Sequence, residues 1–549
     1  MTGDIPDRED LKVEFKSDRA RLNDRDLVAT VVCLANTDGG DIFLGVEDDG
    51  TVTGLHPEHR NLTGMTALIA NLTSPSVTVR VEAIDIDGVR IARVAVPKSR
   101  QLVATSDGLL QRRRLKADGL PECVPFYPHE YTRRLSDLGQ LDQSALSVPE
   151  ATTSDFDPLE RERLRQFVER YGGDRTLLGL DDAELDGALG LVRREGGKHV
   201  PTVAGLLILG RESALRDHVP THEVAFQVMD GTEVLLNDIR RTPLLKTAQR
   251  IEEQFLSRRI ERDIQVGLFR VPVPNYDERA FREALVNALI HRDYTRLGAI
   301  HVRWQPEEIV LSSPGGFVEG VRLDNLLVVE PSPRNPLLAD AIKRIGLAER
   351  TGRGIDLIYQ GLLRYGRPAP DYSRSNRQSV IVTLPGGEAD IGVLRVIIDQ
   401  ENRLGHPLPI DSMIALCLLR DERQIEATRL ANAIQRDEAA ARRVLERLVH
   451  AEMVQAHGLG KHRFYTLSGP ISKALGLSAT DSRQTASVLN ERSKQVLRHV
   501  AAHGRITRRD AAALFQIGDD QASRLLRKLA NENKLQRHGS GRDIWYGPA

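Results

Sequence analysis

Glu283 and Asn287 stand four apart in "REALVNALIHRDY", which places both on one face of a helix, and His291 extends that face by a further turn. Asparagine offers Mg²⁺ a neutral oxygen, and glutamate can orient a water; together they suit a nucleotide γ-phosphate. Farther along, "SSPGGF" carries Ser313, Gly315 and Gly316, and "ERTGRGIDLI" sets Gly352 and Gly354 at the start of a helix. Glycines there let backbone N–H groups approach phosphates. A second candidate is "LANTDGGDIFLGVEDDG", residues 34–50, where a Gly-Gly step precedes a short apolar strand that ends in three consecutive acids. It reads either as a hairpin with a solvated acidic tip or as a strand that delivers one carboxylate to a site.

These residues need elements to hold them. Asp277 can cap a helix whose Phe281, Leu285, Ala288 and Leu289 form one apolar face. "AIHVRWQPEEIVLSSPGG" reads as two strands, the segment from 335 to 366 as two helices around a glycine-bearing loop, and "SVIVTLPGG" as a closing strand near residue 387. Residues 1–135 alternate short apolar runs with turns, as a mainly β unit with a few helices does. Residues 136–155 are polar and lack periodicity, the mark of a linker. Between 156 and 387 come a helical region, two expected strands ("VPTVAGLLILG" and "THEVAFQVMDGTEV"), and then the helix-and-strand unit above.

The C-terminal part repeats itself. At an offset of 81, Ile425 aligns with Ile506, Gln435 with Gln516, Arg443 with Arg524, Leu448 with Leu529, His457 with His538 and Tyr465 with Tyr546. Two copies of one module are expected, at 388–470 and 471–549.

At 549 residues the chain holds several domains, and 40% hydrophobic with 28% charged content is globular. No apolar run is long enough to cross a bilayer. The net charge of -1 hides a gradient: the first sixty residues hold about twice as many acids as bases, and the last sixty the reverse. Cys33, Cys123 and Cys417 are widely spaced, which points to neither a disulfide framework nor a zinc site and makes a reducing cytoplasm the expected compartment.

Three resemblances follow from these residues. The C-terminal module, ordered helix, helix, helix, hairpin, resembles the winged helix-turn-helix family. That resemblance implies contact with duplex DNA through Gln521, Ser523, Arg524, Arg527 and Lys528 on the third helix and His538 and Arg542 on the wing. The middle unit resembles the ATP-binding fold of gyrase-type topoisomerases, Hsp90 and histidine kinases (GHKL), in the divergent branch labelled a RecG-like C-terminal domain. It implies ATP with Mg²⁺ held by Glu283, Asn287, Ser313, Gly315, Gly316, Gly352 and Gly354, with Asn287 on the metal. Ser313 stands where the parent fold reads adenine with an aspartate. No Walker A sequence supports a helicase. The N-terminal "EFK" and "ANTDGG" resemble the Schlafen AlbA-like domain. In its ribonuclease members, residues matching Glu9, Glu14 and Asp48 (Glu47 in the alternative register) bind Mn²⁺ or Mg²⁺, and Arg112, Arg113, Arg114 and Lys116 lie on a basic strand facing nucleic acid.

The expected architecture is therefore an α+β multidomain chain: an AlbA-like domain, a Bergerat-type sandwich and two winged helices. Two functions fit. The first is an ATP-sensing transcriptional regulator on DNA. The second is a metal-dependent endoribonuclease acting on tRNA or other RNA in stress or anti-phage defence, which would need a homo-oligomer to clamp its substrate.

Overall fold

A computed structural model describes residues 5–266, 269–349, 352–457 and 463–477. Beyond these it describes 496–497, 499–500, 504–515, 519–531, 534–538 and 544–548. No helix among them is long and apolar enough to cross a membrane.

The chain opens with β1 (Val13–Lys16), α1 (Asp24–Ala35) and β2 (Gly40–Leu44), followed by β3 (Arg80–Ile86) and β4 (Val89–Val96). They form a four-stranded sheet, ordered β1-β2-β4-β3, with β1 and β2 parallel. Helix α1 buries Leu27, Val28, Val31 and Leu34 against Ile42, Leu44 and Val94 of that sheet. Next comes a hairpin of β5 (Gln111–Leu115) and β6 (Pro121–Pro125), then α2 (Pro128–Asp137).

The packing of α1 beside β6 overturns one expectation. Cys33 and Cys123, 90 residues apart, lie with Cα atoms 5.9 Å from each other and form a disulfide. Only Cys417 is free, and it is buried. Sequence spacing cannot reveal such a pair, because the hairpin folds back over the helix. The stretch expected as a linker is also held in place: the Asp142 carboxylate accepts the Leu337 N–H at 2.7 Å, and the Ser144 hydroxyl accepts that of Leu338 at 3.1 Å.

A third departure is "VAGLLIL". Instead of a strand, Val203–Leu209 is a helix with all seven residues buried, capped by the Thr202 hydroxyl on the Gly205 N–H. A short, fully buried apolar run has no polar face to report its period.

The middle sheet has five strands: β7 (Val224–Asp230), β8 (Glu233–Arg240), β9 (Ile300–Trp304), β10 (Glu308–Pro314) and β11 (Ser379–Pro385), ordered β8-β7-β9-β10-β11. Helices α3 (Leu244–Leu256), α4 (Glu278–Ile290), α5 (Pro336–Ile345) and α6 (Gly354–Leu363) accompany it. As expected, Asp277 caps α4 by accepting the Ala280 N–H at 2.8 Å, and Phe281, Leu285, Ala288 and Leu289 are buried.

The chain divides into two compact units that are not contiguous in sequence. Residues 261–273 and 362–368 belong with 388–549, and the remainder forms the other unit. Within the C-terminal unit, one set comprises β12 (Gln424–Glu426), α7 (Ala427–Ile434), α8 (Glu438–His450), β13 (Val454–His457) and β14 (Phe464–Leu467). The second set comprises β15 (Ile506–Thr507), α9 (Arg508–Phe515), α10 (Asp519–Asn531), β16 (Leu535–His538) and β17 (Trp545–Pro548). Each set builds a three-stranded sheet in the same order, and Ile425 faces Tyr465 as Ile506 faces Tyr546. His457 stacks on Phe464 as His538 stacks on Trp545, so the repeat extends to ring contacts.

Candidate functional site

All seven residues expected to hold a nucleotide line one cavity of about 240 Å³. Glu283 and Asn287 reach it from α4. The end of β10 supplies Ser313, Gly315 and Gly316, and the start of α6 supplies Gly352 and Gly354. Apolar walls come from Leu311, Val380 and Val382 on the sheet, with Phe317 and Tyr372 beside them. His291, at the end of α4, also lines the cavity.

All four glycines are required by close approach. Gly315 has φ +103°, and a Cβ there would lie 2.7 Å from the Asp293 Cβ. Gly352 has φ +74°, a conformation L residues rarely adopt. A Cβ on Gly354 would collide with the Glu283 carboxylate, so that carboxylate sits against the N-terminus of α6.

Desolvation raises the Glu283 pKa above the usual carboxylate value, and the neighbouring Glu349 charge adds to the rise. The Asn287 side-chain N–H donates to Glu283 at 3.3 Å, which leaves the amide oxygen, the atom a Mg²⁺ ion needs, outside that bond. Burial pushes the His291 imidazole down to about 4 and keeps it neutral near pH 7. Ser313 donates its hydroxyl hydrogen to the Ala288 carbonyl at 2.7 Å, so it faces the cavity only as an acceptor. Among the described residues the lining includes Glu283, Glu330, Glu349 and Asp356, with Lys343 as its one Lys or Arg. The Glu283 carboxylate and the Asn287 amide oxygen are the kinds of oxygen donor a divalent cation takes.

Glu9 and Glu14 lie near enough that the Glu14 charge adds to the rise in the Glu9 pKa that burial causes. Glu14 is buried between Arg113 and Lys16 and ion-paired to both. The Glu9 carboxylate accepts the Phe15 N–H at 2.7 Å. Asp48 is exposed in the turn after β2. Glu47, the alternative, accepts bonds from Ser17 at 2.9 Å and Thr53 at 2.6 Å. Among the described residues no three His, Cys, Asp or Glu side chains are grouped to hold a metal ion. In this arrangement Glu14 is paired with Arg113 and Lys16, and Glu9, Glu14 and Asp48 are not grouped as a triad.

The basic run is corrected in part. Arg113 is 3% exposed and donates to the carbonyls of Asp10 and Val13 as well as pairing with Glu14, so it is a structural strut. Arg112 pairs with Glu130, and Arg114 pairs with Glu122 at 2.7 Å. Lys116 is exposed near the hairpin tip.

In the second C-terminal set, Arg527 is exposed, Ser523 is half-buried and the His538 ring is stacked on Trp545, 4.2 Å between centroids. Arg542 and the side chains of Gln521, Arg524 and Lys528 lie outside the described residues.

Residues 9–117 match the family model described as "Schlafen, AlbA_2". The chain carries a Schlafen AlbA_2 domain. Downstream of it, residues 132–225 match a domain of unknown function, DUF8451. Residues 298–384, which contain five of the seven cavity residues named above, match "Putative ATP-dependent DNA helicase recG C-terminal". An ATPase-type domain thus follows the AlbA_2 domain in one chain. Among solved structures, the DIP2311 protein from Corynebacterium diphtheriae is 24% identical, with a TM-score of 0.51 over 85% of this chain and 93% of that one, which shows a shared fold. The N-terminal domain of a putative ATP-dependent DNA helicase RecG-related protein from Nitrosomonas europaea is 20% identical over 18% of this chain and 72% of its own, with a TM-score of 0.16. No curated protein matches the chain.

Sequence reasoning missed the residues around the glycine turn. Arg334 is fully buried and donates to the Gly316 carbonyl at 3.0 Å and to the Asp137 carboxylate at 2.6 Å. Arg377 pairs with Asp38. Neither arginine belongs to a periodic pattern, and both partners are distant in sequence.

Proposed function

We propose that this protein is a nucleotide-dependent regulator that binds ATP with Mg²⁺ in the cavity of its middle domain and acts on nucleic acid. The observation that carries the reading is the convergence of Glu283, Asn287, Ser313 and the four glycines on one cavity. Adenine would lie on the apolar floor near Ser313, whose acceptor-only hydroxyl suits an amino group. The phosphates would approach the α6 N-terminus, where Asn287 and Glu283 would hold the cation. Glu283 is the residue placed to orient a water if γ-phosphate hydrolysis follows binding.

The two C-terminal sets have the element order and sheet order of winged helices, and we assign them to duplex DNA, with the regulator role as the functional context. Titration calorimetry of the full chain with Mg²⁺ and ATP tests the cavity. Micromolar-range heats abolished by Asn287→Ala are expected, and no heat at millimolar ATP would exclude the nucleotide. Fluorescence anisotropy with a labelled duplex tests the DNA arm: binding should weaken steeply as salt rises.

A further inference from the structure

The "TDGG" turn of the AlbA_2 domain touches the glycine turn of the cavity through charged side chains. Asn36 and Thr37 bond inside the AlbA_2 domain: Asn36 holds Val103 and Gln111, and Thr37 accepts the Arg113 N–H at 2.8 Å. Gly39 and Gly40 are needed by close approach to Val96 and Lys12. Asp38 alone of this motif reaches outward. It pairs with Arg377, and Lys98 bridges it at 3.5 Å to Glu319 at 3.0 Å.

On the other side, Gly316 packs tightly on the backbone of 376–377, with 2.9 Å from its Cβ direction to the Asn376 carbonyl, and the Gly315 N–H donates to the Gln378 carbonyl at 2.7 Å. Arg334 forms a second arm from the same turn, since one guanidinium holds both Gly316 and Asp137. Its buried Nε has no hydrogen-bond partner among the described residues and lies behind Gly315. A ligand that presses on Gly315 and Gly316 thus meets two arms, one ending on Asp38 and one on Asp137.

We infer that the segment 315–319 is a latch through which occupancy of the cavity changes the "TDGG" turn and, through Thr37 and Asn36, the basic hairpin of the AlbA_2 domain. The inference rests on the nucleotide reading above and adds its regulation. Coupling of this kind is reciprocal: what the cavity does to the hairpin, a ligand on the hairpin does to the cavity.

Hydrogen exchange on the full chain with Mg²⁺ and a non-hydrolysable ATP analogue tests it, with calorimetry on the same samples. In the wild-type protein, exchange of the amides at 37–41 and at Ser99 should slow by at least about twofold, a change well within typical coupling. Calorimetric affinity and the slowing at 283–291 should persist in both Arg377→Gln and Asp38→Asn with Asp137→Asn, while the slowing at 37–41 shrinks in the first, which keeps the Lys98 and Arg334 links, and disappears in the second. Slowing confined to the cavity in the wild type, or slowing at 37–41 that survives both variants, would overturn the latch and leave nucleotide binding standing. Absence of any heat with the wild type would overturn the nucleotide reading and the latch together.

Discussion

Arg113 and Glu14 form an ion pair across 99 residues of sequence, with the arginine side chain 1% exposed and the glutamate side chain 10% exposed. The pair ties the β5–β6 hairpin to β1, and the arginine makes two further bonds to backbone carbonyls. Removing the arginine leaves the buried Glu14 carboxylate with Lys16 as a partner and takes away the bonds to the backbone carbonyls. Arg113→Ala should therefore lower unfolding stability by about 1–3 kcal/mol, read by urea denaturation. An Arg113→Ala protein that unfolds at the wild-type urea midpoint would show that the pair contributes nothing.

Gly354 gives a sharper test of the cavity. A methyl group there must displace the Glu283 carboxylate, while the fold around α6 has no other reason to change. Gly354→Ala should weaken ATP binding by about tenfold or more, roughly 1.4 kcal/mol, while the melting temperature moves little. Calorimetry and a thermal melt on the same preparation separate the two effects.

His222 sets an acid limit on stability. It is fully buried, bonded to the Thr242 carbonyl at 2.8 Å, and burial lowers its pKa to about 4. Above pH 6.5 both folded and unfolded forms are neutral, and the group exerts no pH effect. As pH falls from 6.5 towards 4 the unfolded chain takes the proton and the folded chain does not, so stability drops, by about 1 kcal/mol for each unit. His222→Gln should reduce the slope of unfolding free energy against pH between 6.5 and 5, with His291, whose imidazole burial also lowers to about 4, keeping its own share; an unchanged slope would remove His222 from the account.

The first C-terminal set is richer in acid than the second, which argues against DNA contact until its acids are followed. Asp437 caps α8 through the Ala440 N–H, Glu438 pairs with Arg442, and Glu446 accepts from the Tyr465 hydroxyl and pairs with Arg463. Arg443 and Arg447, which align with Arg524 and Lys528, remain exposed on the helix. Replacing both by alanine in the full chain should reduce the slope of log affinity against log salt by about two. A slope equal to wild type would confine DNA contact to the second set.

Much of the cavity was legible because its residues sit on strongly periodic elements with glycine punctuation. Asn287 four after Glu283, and glycines before α6, are local signals. For the N-terminal acids, a motif match states which residues are acidic and not what else is near them: Arg113, far along the chain, pairs with Glu14. The strand expected at 203–209 failed for want of a polar face. The Cys33–Cys123 bridge and the Asp38–Arg377 pair were invisible because they join residues that only the tertiary fold brings together.

The division of the chain also bears on how it can be cut. Residues 261–273 and 362–368 leave one unit's sequence to complete the other, where the Gln265 carbonyl accepts from Arg395 and the Gly366 carbonyl from Arg420. A protease that nicks near 388 therefore releases a C-terminal fragment lacking two of its own pieces. Gene truncation at that boundary yields the same incomplete fragment, so neither unit can be cut out of the sequence as one continuous piece.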